Sequence, residues 1–98
     1  MATFFVVQRR SGPEWDRSLS LEDQSGWTAH AEFMDALEAE GFVVLGGPVG
    51  DETRALLVID AESEKEIRET LGGDPWSESH LVIESIDSWT IRLGALPA

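Results

Sequence analysis

The hydrophobic pattern divides the chain into short apolar runs and two helical stretches. Thr3–Arg9 (TFFVVQR) is rich in β-branched and aromatic residues and predicts a strand. Arg10–Gly26 has turn formers and no period, and predicts a long loop whose isolated features are Trp15 and Arg17. Loops longer than about 12–15 residues are uncommon in compact domains and are often functional. From Trp27 to Glu40 the period becomes helical. Trp27, Ala31, Met34 and Leu37 share one face, His30 and Phe33 flank it, and Gly41 is a natural stop. Phe42–Val49 (FVVLGGPV) predicts a strand interrupted by glycines and a proline, Gly50–Glu52 a turn, and Arg54–Asp60 (RALLVID) another strand. Ser63 and Glu66 form a capping box for a helix that runs through Leu71 and stops at Gly72. The segments HLVIESID and SWTIRLG then predict one long strand or two short ones. Their inward set changes parity between Ile83 and Ile86, which places a bulge near Ser85.

The order of elements is βαββαβ, the split-βαβ arrangement of a ferredoxin-like α+β fold, and it accounts for residues 1–98 as a single domain. Two helices cover only one face of a four-stranded sheet. Yet FFVV, FVVL and ALLVI are apolar at every position, so both faces call for burial. A second copy of the chain is the simplest cover, with two sheets packed face to face as a barrel-like homodimer. The sequence has no internal repeat, low-complexity tract or interdomain linker.

Composition narrows the partners. The 98 residues carry 7 basic and 19 acidic side chains, a formal net charge of -12. Such a surface repels phosphate backbones and anionic lipid, which argues against nucleic acid and membrane as partners. With an apolar share of 42%, the chain is a folded globule and not a disordered segment. Cysteine is absent, so disulfides, thiolate metal sites and a Cys nucleophile are excluded. The start, MATFFVVQRR, has its basic residues after a very short apolar run, the reverse of a signal peptide. No apolar stretch approaches the roughly 20 residues of a membrane helix. The expected location is the cytoplasm.

Few residues remain that can do chemistry. His30 borders the apolar stripe of the first helix. Imidazole titrates near neutral pH, so it suits a general acid or base, and equally it suits a half-buried, hydrogen-bonded histidine. Asp74, in the stretch GGDPW, is placed to cap a helical turn ahead of Pro75. A capping Asp can also accept a bond from an imidazole, fixing its tautomer and leaving the other ring nitrogen for substrate. Gly46-Gly47-Pro48 lies late in a strand, where glycines permit a bulge or the close approach of a ligand. It lacks the lysine and hydroxyl of a phosphate loop and opens no helix. Trp15 and Trp76 sit in loops, where they can wall a pocket for a flat or apolar molecule, whereas Trp89 suits the core or a dimer interface. His30 and His80 have no HxH or HExxH spacing, and no GxSxG elbow is present.

The segments GWTAHAEFMDALEAEGFVVLGGPVGDETRALLVID, ESEKEIRETLGGDPW and SWTIRLG resemble the YCII-related (YciI-like) family over nearly the whole chain, and GPEWD looks like its actinobacterial-type members. The resemblance implies a ferredoxin-like fold, usually a dimeric α/β barrel. It also implies a cleft in which a His and an Asp pair, here His30 and Asp74. Lyase-type or dehalogenating activity on ring compounds has been associated with the family. Members often carry a small residue or glycine after the "DP-aromatic" turn. This chain has SESH there, so His80 is expected to crowd the pocket or add a second titrating group.

The sequence therefore leads to a small enzyme without cofactor or metal, acting on a small, possibly ring-containing organic molecule. His30 would move a proton and Asp74 would orient it. Trp15, Arg17, Gly47, Pro48 and Trp76 would shape the binding site. A non-catalytic binding or assembly domain is the alternative, because this fold hosts many unrelated tasks. A cofactor-free monooxygenase of similar barrel shape rests on fold analogy alone.

Overall fold

A computed structural model describes residues 2–94. The elements are β1 (Ala2–Ser11), α1 (Trp27–Ala39), β2 (Val43–Val49), β3 (Arg54–Ile59), α2 (Glu64–Leu71) and β4 (Leu81–Ile91). The sheet runs in the order β2-β3-β1-β4 with every neighbour antiparallel, the ferredoxin-like α+β arrangement that the pattern predicts. The segment between β1 and α1 is shorter than expected, because β1 continues to Ser11. A 3-10 turn at Leu21–Asp23 breaks the rest. At α2 the Ser63 hydroxyl accepts from the Glu66 amide at 3.1 Å, and the Glu66 carboxylate accepts from the Glu62 amide at 3.1 Å. The reciprocal cap lies one residue out of the usual register.

Both helices cover one sheet face. Val7, Val43, Leu57 and Ile59 meet Leu37 of α1 and Ile67 and Leu71 of α2 in the buried core. Register slips set which residues share that face. In β4, Gln8 pairs with Ser85 and Arg9 with Ile83, so Glu84 is the extra residue of the expected bulge. In β2, Val43 pairs with Ile59 and Leu45 with Val58, which leaves Val44 over and turns Gly46 toward Leu57 on the helix side. A Cβ on Gly46 would stand 2.6 Å from Leu57 Cδ2, so any larger residue there would push the Leu57 side chain aside. The opposite face carries Leu45, Leu56 and Trp89, at 46%, 38% and 44% exposure. No helix among the described residues is long and apolar enough to cross a membrane.

Ile67 is fully buried, and deleting its outer methyl groups leaves a cavity that neighbouring strands cannot close. Ile67→Ala should lower unfolding free energy by about 2–5 kcal/mol in urea denaturation with the slope unchanged.

Candidate functional site

Strand parity delivers the first component. Phe5 and Val7 point to the helix side of β1, and Arg9 follows at the same parity, reaching only 1% exposure. The second component comes from the turn after α2. The Asp74 amide donates to Leu71 O at 3.0 Å, and the Asp74 carboxylate accepts from the Trp76 amide at 2.9 Å, closing an Asx turn around Pro75. His30 is the third, directed inward from α1 and buried.

These residues converge on one carboxylate. His30 Nδ1 lies 2.9 Å from each Asp74 oxygen, and Arg9 Nη1 donates to Asp74 Oδ2 at 2.9 Å. The other Arg9 terminal nitrogen, Nη2, donates to Leu81 O at 2.9 Å, while Nε is buried without a partner. Burial pushes the Asp74 carboxyl up. Bonds from His30 and the Trp76 amide, with the charge of Arg9, outweigh it and hold the group below its ordinary range. An ionised carboxylate only accepts, so the imidazole proton sits on Nδ1. His30 Nε2 has no hydrogen-bond partner among the described residues and is the ring atom left for a ligand.

Trp76 supports this group from behind. Its ring stacks on His30 with centroids 4.1 Å apart and planes at 9°, and on His80 at 4.7 Å and 17°. Its Nε1 donates to Ser25 O at 2.9 Å, just before Gly26, whose φ of 76° starts α1 against the indole. His80 sits between the hydroxyls of Ser25 and Ser79, 3.0 and 2.8 Å from its ring nitrogens. The indole separates the two imidazoles, so they do not face one another across a common metal position. Among the described residues no group of three or more His, Asp or Glu side chains could hold a metal ion.

A cavity of about 560 Å³ opens between α1 and the β2–β3 end of the sheet. His30, Arg9, Trp27, Met34 and Leu57 line it together with Gly46, Gly47 and Pro48, and Asp35, Glu38, Glu52 and Arg54 also contribute. Of the residues expected from sequence, His30, Gly47 and Pro48 are on this cavity and Asp74 stands behind His30. Trp76 is not on its wall: it is 1% exposed and spent on stacking and on Ser25. Trp15 packs edge-on against Trp76 at 6.1 Å, and Arg17 is exposed, so neither reaches the cavity. His80 does not crowd it either, being buried on the far face of the indole. Arg9 is the component that sequence reading passed over; Gly46 was read as part of the GGP strand end but not placed in the site. An arginine at an inward position of an apolar strand was the available signal for Arg9.

No family model matches the chain. Over 70 residues it is 33% identical to the "Uncharacterized protein YjpA" of Bacillus subtilis (strain 168), covering 71% of this chain and 82% of that protein. Its fold is similar to the solved structure of 5-chloro-2-hydroxyhydroquinone dehydrochlorinase (TftG) from Burkholderia phenoliruptrix AC1100 in complex with 2,5-dihydroxybenzoquinone. That match has a TM-score of 0.60 and 21% identity, and covers 93% of this chain and 95% of TftG.

Because the Asp74 carboxyl is held below the unfolded value of about 3.9, its contribution to stability is complete above that value and is lost as pH falls through the folded value. Asp74→Asn leaves Arg9 buried beside a neutral group. The variant should lose about 3–5 kcal/mol at neutral pH. Its unfolding free energy, followed by urea titration from neutral to acid, should fall less than that of the wild type.

Proposed function

The chain belongs to the family of the Bacillus subtilis protein YjpA, and from its buried His30–Asp74 pair we propose a small enzyme that transfers a proton on a small organic molecule. The observation that carries this is the division of the His30 ring: Nδ1 is held by Asp74, and Nε2 is left for the cavity that His30 lines. Nε2 takes a proton from the substrate, and the electron pair left behind shifts a double bond or expels a leaving group. Asp74 keeps the ring oriented and stabilises the imidazolium formed. The walls near Trp27, Met34 and Leu57 suit a flat, ring-containing body, and the open backbone at Gly46–Pro48 lets such a ring lie close. The similarity in fold to a dehydrochlorinase of a hydroxylated ring supports a lyase- or isomerase-like reaction of this kind.

We also place the chain among the YCII-related proteins, as an actinobacterial-type, single-domain cytoplasmic member that works as a homodimer. The exposed Leu45, Leu56 and Trp89, with half-buried Phe4 and Val6 between them, form the sheet face that a second copy would cover. Sedimentation should give twice the chain mass, and Trp89→Glu should shift it toward one chain mass while circular dichroism stays unchanged.

Turnover is tested with 5-chloro-2-hydroxyhydroquinone and related hydroquinones, following chloride release and absorbance. 2,5-Dihydroxybenzoquinone serves as a binding probe read by quenching of the tryptophan fluorescence, to which Trp27 on the cavity wall contributes. His30→Gln should lower kcat by about 10²–10⁴-fold on any compound turned over, with the fold retained and without oxygen uptake in the wild type. Tight binding with no turnover of any compound, unaffected by His30→Gln, would instead point to a binding domain.

A further inference from the structure

Asp74 is one anion facing two bases. Arg9 is cationic at all accessible pH, and its Nη1 lies 2.9 Å from Asp74 Oδ2, with side-chain exposures of 1% and 0%. That pair is already neutral before His30 is considered. Protonating His30, itself only 9% exposed at the side chain, would leave a net positive charge beside that pair. The remaining charged groups do not offset it. Asp35, Glu38 and Glu52 line the same cavity from α1 and the β2–β3 turn, where water screens them, and Arg54 is ion-paired with Glu84. His80 faces His30 only through the Trp76 ring. The Arg9 side chain makes two hydrogen bonds among the described residues, to Asp74 and to Leu81 O.

We infer that Arg9 is a positioning residue that neutralises Asp74, so that His30 rests as an uncharged imidazole with its proton on Nδ1 and a lone pair on Nε2. The site is thereby poised to accept a proton and not to deliver one. Its substrate class follows: molecules bearing an acidic O–H or C–H on or next to an electron-poor ring, which lose that proton first. The proton passes to Nε2 and its electron pair stays on the substrate. The Arg9–Asp74–His30 group then carries one positive charge against one negative charge on the ligand. The substrate anion is stabilised only after the transfer, which is when catalysis needs it.

The catalytic meaning rests on the proton-transfer reading, but the charge state is measured without substrate. Long-range ¹H–¹⁵N spectra of the imidazoles, assigned with His80→Gln, should give a neutral Nδ1–H tautomer for His30 at pH 7. Arg9→Gln should move the His30 titration midpoint upward, because Asp74 then has only the imidazolium to pair with. Arg9→Lys, which keeps the charge, should stay close to wild type. An imidazolium at His30 in the wild type at pH 7 overturns the inference, as does an unshifted or lowered midpoint in a folded Arg9→Gln. Should that variant not fold, the wild-type tautomer decides alone. A neutral His30 in a protein that turns nothing over leaves the role of Arg9 standing and removes the enzyme. An imidazolium together with turnover does the reverse.

Discussion

One buried carboxylate organises the half of the molecule where the cavity lies. Asp74 accepts from a side chain of β1, a side chain of α1 and an amide of its own turn, and Arg9 extends the link to the first residue of β4. A charge taken out of water costs several kcal/mol unless it is paired and its lone pairs are filled. Here the three donors fill them, and each comes from an element that folding must bring to the same point. Disturbing any one of those elements leaves a buried charge without its partner. The site is therefore tied to the register of β1 and β4 as closely as to the helix that presents His30.

Trp76 and Trp15 extend this arrangement and do not wall the cavity. Trp76 follows Asp74 by two residues, so the turn that aims the carboxylate also slides an indole beneath the imidazole. The same indole fixes Ser25 at the entry to α1 and receives the edge of Trp15 from the preceding segment. Stacking on a rigid ring restrains His30 in the plane that its bond to Asp74 requires. Two contacts on one ring, one polar and one stacked, leave Nε2 little freedom of direction.

Much of the fold was legible because it is written in periodicity. The apolar runs, the helical stripe from Trp27, the capping box and even the parity change in β4 all report local backbone geometry. The site was legible only in part. His30 and Asp74 were singled out by residue chemistry and family resemblance, and the structure brings them to 2.9 Å. Spacing along the chain carries no information about that approach. Arg9 was passed over because a strand ending in QRR looks like a solvated strand end. Its inward parity is set within β1, where it follows Phe5 and Val7, but only the fold brings Asp74 and Leu81 O to meet it. Trp76 and Trp15 were misplaced for a related reason. A loop aromatic can face a cavity or stack behind it, and only the turn geometry decides between them.

Charge connects the surface to the interior. A protein with a formal net charge of -12 repels anions on approach, and the carboxylates of Asp35, Glu38 and Glu52 continue that field to the cavity. A substrate that arrived as an anion would be opposed at every step. In the proposed reaction, one that arrives neutral meets no such barrier and becomes charged only when Nε2 removes its proton. At that moment the positive charge of the Arg9–Asp74–His30 group stands beside the new anion, while the carboxylates of Asp35 and Glu38 on the cavity wall are exposed to water. The acidic exterior and the single buried arginine then act in one direction. On the proposed reading, they favour the approach of the acid form of a molecule and stabilise its conjugate base beside His30.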